Sequence, residues 1–183
     1  MYVPWSAPSG WPIVDEGLLM AGIDGMLFVH AGVHVTDAVY ARYLAEMARS
    51  IDERDLGNRV GVVYDALGGV DVDARRRQQL AGILASRRAK MAATTAAFAL
   101  VTDSAVMRGV LRAVFWLAPP PYPWAVASNL RSGLEYTRAE APRAEVDRIL
   151  RAYQRLKDEA LGSASRPGRA RGGRVGAVTP PEG

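Results

Sequence analysis

The sequence predicts an α/β domain: a mainly parallel, mixed sheet of about five strands covered by helices, with an extra C-terminal helix and a disordered tail. Three observations predict it. Apolar periodicity switches repeatedly between strand type and helix type along the chain. Two strand-type runs, Val60–Tyr64 and Thr95–Val101, are continuously apolar, as in parallel strands buried on both faces. Each is followed by a helical stretch, and strands alternating with helices imply right-handed crossovers. With 183 residues, 49% of them hydrophobic and 23% charged, one domain can bury its own core without a disulfide or structural metal.

Residues 1–12 read as a flexible lead-in rich in proline and serine, residues 13–140 as the α/β domain, 141–162 as the C-terminal helix and 163–183 as the tail. Ile13 to Ala21 is a strand, and the turn Gly22-Ile23-Asp24-Gly25 folds it back on Met26–Ala31 as a hairpin, giving one antiparallel edge. Thr36 caps a helix running to about Arg54, with Asp37 in its positive first turn. Val39, Tyr40, Tyr43, Leu44, Met47 and Ile51 form its apolar face. A second helix is expected from about Val72 to Ala92, and a third carries Val106 to Phe115 before Pro119-Pro120-Pro121 ends it. Trp124–Ala127 is the last strand. A short helix capped by Ser128 or Asn129 runs through Tyr136, and Pro142 opens a longer one with Val146, Ile149, Leu150, Tyr153 and Leu156 on one side. From Ser163 onward Gly, Pro, Ser and Arg dominate, too little apolar surface to offset the entropy of ordering.

Composition excludes whole classes of chemistry. Without cysteine there is no disulfide framework, zinc ribbon or thiol nucleophile, and His30 and His34 are too few for a histidine-rich metal site. No stretch reaches the ~20 apolar residues of a membrane span. Met1 to Pro12 lacks the basic and apolar regions of a secretory signal, so cytoplasm is the expected location. The formal charge of +4 sits mostly in the tail, whose four arginines face one glutamate; the body holds 19 basic and 18 acidic residues. Such a body shows no nucleic-acid footprint. Only Lys90 and Lys157 are lysines, an arginine bias that fits a GC-rich genome.

In an open α/β sheet, ligands bind outside the carboxyl ends of the parallel strands. Asp65, Asp71, Asp73 and Asp103 fall there, as a divalent-metal or acid-base cluster or as helix caps that satisfy orphan amides. Gly57, Gly61, Gly68 and Gly69 fit no phosphate-binding fingerprint. Ser104 has the position of a nucleophile, but Asp103-Ser104-Ala105 lacks the small residues of a nucleophile elbow and reads as a cap. His30 and His34 lack the regular helical spacing of zinc ligands; His30 reads as a structural histidine beside Phe28. Arg76 and Arg87 lie within the apolar stripe of the second helix, where each must snorkel, pair with an acid or meet an anion. Trp116, Tyr122 and Trp124, with the prolines among them, form either a docking surface or one closed end of the core.

The segments Gly25-Met26-Leu27-Phe28-Val29, Val60-Gly61-Val62-Val63-Tyr64-Asp65 and Phe98-Ala99-Leu100-Val101-Thr102-Asp103 resemble the STAS superfamily, the fold of bacterial anti-sigma-factor antagonists. With Trp124–Ala127 and Leu130–Tyr136 the resemblance is closest to the divergent STAS-like branch, which shares its shape with CRAL-TRIO domains. It implies a bacterial regulatory or scaffold protein acting through a protein partner. The family's phosphorylatable serine has no counterpart: the loop from Asp65 to Asp73 contains no Ser or Thr, so Asp71 or Asp73 would have to mimic phosphate permanently. Three functions follow. The first is a non-catalytic interaction module using Asp65, Asp71, Asp73, Arg76, Arg87 and Asp103, with no cofactor. The second is a carrier or sensor of a small apolar or anionic ligand, Arg76 and Arg87 meeting its head group. The third is an enzyme using Asp65 or Asp103 as acid or base.

Overall fold

A computed structural model describes residues 6–15, 17–32, 35–68, 73–139 and 141–164, with side chains up to residue 160. Asp71, His34 and most of the arginine-rich tail lie outside the described residues. The chain is α/β, a single domain built on a six-stranded mixed sheet. The strands are β1 (Ile13–Asp15), β2 (Leu18–Ile23), β3 (Met26–Ala31), β4 (Val60–Asp65), β5 (Thr95–Val101) and β6 (Trp124–Ala127). The helices are α1 (Asp37–Asp52), α2 (Ala74–Ser86), α3 (Arg88–Thr94), α4 (Ala105–Leu117), α5 (Leu130–Thr137) and α6 (Arg143–Ala164).

Strand order in the sheet is strand order in the sequence. β1–β2 and β2–β3 are antiparallel, while β3–β4, β4–β5 and β5–β6 are parallel. The expected single strand Ile13–Ala21 is therefore two, reversing at Gly17, whose φ of 72° suits a residue without Cβ. Asp24 and Gly25 both have positive φ, 48° and 75°, the backbone of a two-residue hairpin matched to sheet twist.

Caps set the helix starts as the sequence indicates. Thr36 Oγ1, Ser104 Oγ and Asn129 Oδ1 accept the amides of Val39, Met107 and Ser132. The expected second helix breaks in two at Arg87, where φ is −113° and ψ is 12°. Residues 6–12 are not a free lead-in: the Trp11 indole donates to Glu46 and Arg49 donates to the Ser9 carbonyl, so this segment lies along α1. The C-terminal helix is not an appendage either. It runs to Ala164 and fills one side of the core.

Side-chain alternation along the strands makes two cores. On one face Leu27, Val29 and Val62 pack under α1 and α3, and Leu100 packs under α4, with α2 bridging between α1 and α4. On the other, Leu19, Met26, Phe28 and Val63 pack under α5 and α6. That division follows from topology, because right-handed crossovers stepping one way across a sheet leave their helices on one face. Among the described residues no helix is long and apolar enough to cross a membrane.

Candidate functional site

The two faces carry two different polar arrangements. On the α6 side, His30 and Asp65 are register partners near the carboxyl ends of β3 and β4. Asp65 is fully buried, and its Oδ2 accepts both the Tyr153 hydroxyl at 2.8 Å and the Lys157 ammonium at 2.7 Å. Its Oδ1 accepts the Leu67 amide at 3.2 Å. Tyr153 and Lys157 stand four apart on α6, so one turn carries both to the same carboxylate. The Tyr153 ring stacks on Phe28, centroids 4.4 Å apart. His30 Nδ1 lies 3.0 Å from the Asp65 carbonyl oxygen, which only accepts, so Nδ1 carries the hydrogen.

This cluster ties α6 to the carboxyl end of β4. Burial first, then the charge and hydrogen bond of Asp65, push the Tyr153 hydroxyl far above its ordinary value, the wrong direction for a general acid or base near neutrality. Lys157 forms an ion pair with Asp65 at 2.7 Å.

Burial and the Lys157 charge lower the His30 pKa below 6.5, against the opposing pull of Asp65. The folded state thus binds fewer protons than the unfolded one once pH drops. The stability held by neutral His30 is complete above about pH 6.5 and is lost as pH falls toward the folded-state value. Urea midpoints are expected to decline between pH 7 and pH 5, and His30→Gln to flatten that decline. An unchanged slope in the variant would assign the decline to other groups.

The remaining expected site residues are dispersed. Asp73 caps α2, its Oδ1 accepting the Arg76 amide at 2.8 Å, and Asp103 is exposed after β5. Among the described residues no group of His, Asp or Glu is arranged to hold a metal ion. The two arginines of the second helix pair with acids of α1. Arg76 donates to Asp37 at 2.7 Å and to the Val35 carbonyl at 2.8 Å, and its guanidinium lies over the Tyr40 ring. Arg87 grips Asp52 through two bonds, at 3.0 and 2.9 Å. Asp37 opens α1 and Asp52 closes it, so a clasp at each end fastens α2 alongside α1.

Between the clasps α2 sits lightly. Its only fully buried side chain is Ala81, while Leu80, Ile83 and Leu84 are half-buried. Beneath it, between the sheet and α1, α3 and α4, lies a cavity of about 90 Å³. Leu27, Val62, Phe98 and Leu100 form its floor; Tyr43, Met47, Leu84, Met91 and Leu111 are in its walls and roof. Tyr40, Tyr64 and Tyr122 also line it, and burial pushes the Tyr122 hydroxyl up to about 12, so it stays protonated. At the end where β5 begins, the wall contains Arg54, 3% exposed, which donates to the Ser50 carbonyl and to Thr95 Oγ1, each at 3.0 Å. Burial lowers its pKa to about 10, still a cation at neutral pH. A second cavity of about 110 Å³ shares Leu84, Met91 and Tyr122 with the first and extends to Arg88 and Pro119–Pro120. Arg88 donates to the Pro119 carbonyl there.

Of the aromatic set, Tyr122 closes the core, whereas Trp116 is 82% exposed and Trp124 packs one edge on Phe115. Sequence reasoning passed over Lys157 and Arg54. Both had a signal: Lys157 falls on the apolar face of its helix and is one of two lysines in an arginine-rich chain, and Arg54 follows Ile51 and Met47 at spacings of three and seven, in line with the apolar face of α1 just past its end. Comparison of the chain with family models, curated proteins and solved structures finds no match.

Proposed function

We propose that this chain is a non-catalytic binding protein that holds a small, mainly apolar molecule between the sheet and its roof helix α2, as a carrier or sensor. The cavity carries the reading. Aromatic and aliphatic walls with a few polar groups at one end are the usual make-up of a small-molecule site. The reading draws further support from α2, which is clasped at its ends and thinly packed at its middle, as suits an element that opens for a ligand. The STAS-like pattern of β3, β4 and β5 supports a bacterial, cytoplasmic, regulatory setting, in which ligand occupancy replaces the absent phosphoserine switch.

A second reading, docking of a protein partner, is favoured by one observation. Val106 and Trp116 on α4 are 73% and 82% exposed, and β6, with Trp124 and Val126 exposed, ends the sheet with one edge unpaired among the described residues. The inner face of the same helix lines the cavity, so ligand and partner would communicate through α4.

Mass spectrometry of the full chain purified from its own host, native and then denatured, tests both. A small-molecule adduct that vanishes on denaturation is expected, and Leu84→Trp, which fills both cavities from their shared wall, is expected to abolish it with the fold intact. An adduct retained by Leu84→Trp would overturn the cavity as its site. A bare chain travelling with a second protein, released by Trp116→Ser, would replace the first reading by the second.

A further inference from the structure

The geometry points to a small neutral carbonyl compound as the ligand of this cavity, its oxygen accepting the Tyr43 hydroxyl and its hydrocarbon lying among Met47, Met91, Phe98 and Leu111. The inference rests on the reading that the cavity is a ligand site and names the ligand's chemistry. Three observations carry it. First, the chamber holds phenol hydroxyls that the fold leaves unused. Tyr40 donates to the Arg76 carbonyl at 2.8 Å, but among the described residues the hydroxyls of Tyr43, Tyr64 and Tyr122 have no hydrogen-bond partner. The Tyr43 oxygen is not sealed in by its neighbours either; with the residue 4% exposed, the open space beside it is the cavity that it lines. A hydroxyl taken out of water without a partner lowers stability, and phenylalanine would fill the same volume without that loss. A ligand atom that meets the hydroxyl gives the oxygen its use.

Second, the hydroxyls set the ligand's polarity. Burial holds Tyr43 well above the ordinary phenol value and pushes Tyr122 up to about 12, so both stay protonated at neutral pH and offer O–H donors. The Tyr43 hydroxyl lies within electrostatic reach of those of Tyr64 and Tyr122. A carbonyl oxygen, with two lone pairs, accepts from Tyr43 and has room for a second donor. An ion gains less. No Asp, Glu, Lys or His lines the chamber among the described residues, and Arg54 is engaged within the fold by Ser50 and Thr95. Stripping water from an ion costs more than neutral donors return.

Third, volume sets the size. A dry cavity of ~150 Å³ accepts benzene, so about 90 Å³ suits roughly four to six non-hydrogen atoms. The walls fit a short chain or small ring: Met47 and Met91 adapt their shape, and Phe98 offers a ring face. Entry from the α2–α3 break would pass the second cavity, whose shared wall of Leu84, Met91 and Tyr122 separates it from the first.

The test titrates three probes of that size calorimetrically into the full chain: cyclopentanone, methylenecyclopentane, which has CH2 in place of the oxygen, and butyrate, an anion. Cyclopentanone is expected to bind about tenfold more tightly than the hydrocarbon, the worth of one net hydrogen bond. Butyrate is expected to bind more weakly than the ketone. Tyr43→Phe is expected to erase the ketone's advantage and to leave the urea midpoint unchanged or raised; a lowered midpoint would show that the fold uses the hydroxyl and would overturn the assignment. On the unaltered protein, the infrared carbonyl band of bound ¹³C-labelled cyclopentanone is expected below its position in hexane, because a donated hydrogen bond weakens the C=O bond. An unshifted band, equal binding of ketone and hydrocarbon, an advantage that survives Tyr43→Phe, or tighter binding of butyrate overturns the carbonyl assignment while leaving the cavity a ligand site. Failure of all three probes also overturns it, and the fate of the native-spectrum adduct then decides separately whether the cavity binds anything.

Discussion

Asp65→Asn is expected to destabilise the protein by about 3 kcal/mol, read as a lower urea midpoint. Asparagine keeps the shape and can still accept the Tyr153 hydroxyl with its one oxygen, but its NH2 then faces the Leu67 amide, so the loss combines the charge with that one hydrogen bond. Without the carboxylate, the Lys157 ammonium, 19% exposed, is left against a buried pocket with no negative partner. Removing one member of a buried ion pair costs about 3–5 kcal/mol, and the lower end applies because the Lys157 stem can carry its head toward water. The double variant Asp65→Asn with Lys157→Met is expected to recover most of the deficit, since a methionine needs no counter-charge. A single-variant loss below about 1 kcal/mol would mean that the pair contributes only as surface pairs do. The same variants bear on function: small-molecule binding at the opposite face should survive in any that fold, whereas an enzyme relying on Asp65 would lose all activity.

Gly133→Val is expected to cost about 3 kcal/mol, and Gly133→Ala about 1 kcal/mol. Gly133 lies in α5 where that helix meets the sheet, and a Cβ there would stand 2.7 Å from Val101 Cγ2 and 3.5 Å from Ala99 Cβ. Two effects oppose each other. Alanine gains up to about 1 kcal/mol over glycine within a helix, but overpacking a filled contact costs about 1–3 kcal/mol. Packing wins, and the branched valine widens the margin. Gly82→Ala in α2 and Gly109→Ala in α4 provide the control, because a Cβ at either meets nothing within 4 Å. There propensity stands alone, and both changes are expected to stabilise, by about 1 kcal/mol at most. If all three alanine variants behave alike, the close approach of α5 is not what requires Gly133.

How much of this was legible in the sequence depends on the distance over which the deciding contact acts. Caps at Thr36, Ser104 and Asn129 are settled within three residues, and their side chains announce them. The strands β3, β4 and β5 announce themselves by unbroken apolar runs. The break at Arg87 did not, because the stripe of Leu80, Ile83, Leu84 and Met91 continues through it; only the pairing of Arg87 with Asp52, 35 residues away, marks the place. Asp65 could be singled out as a strand-end carboxylate, but its partners Tyr153 and Lys157 lie 88 and 92 residues further on. The cavity was least legible. It belongs to no element: it exists because α2 spans from α1 to α4 with mid-sized residues beneath it, a matter of volumes meeting in space.

The identity of sheet order and sequence order has a consequence for how the molecule is made. Each strand finds its neighbour as soon as it leaves the ribosome, since none has to be inserted between two already paired. α6 is the exception. It is synthesised after all six strands, yet it covers Leu19, Met26 and Phe28 of β2 and β3, and its Tyr153 and Lys157 close on Asp65 only then. Until α6 has been made, that part of the sheet face stays bare and greasy, an invitation to chaperones and to self-association.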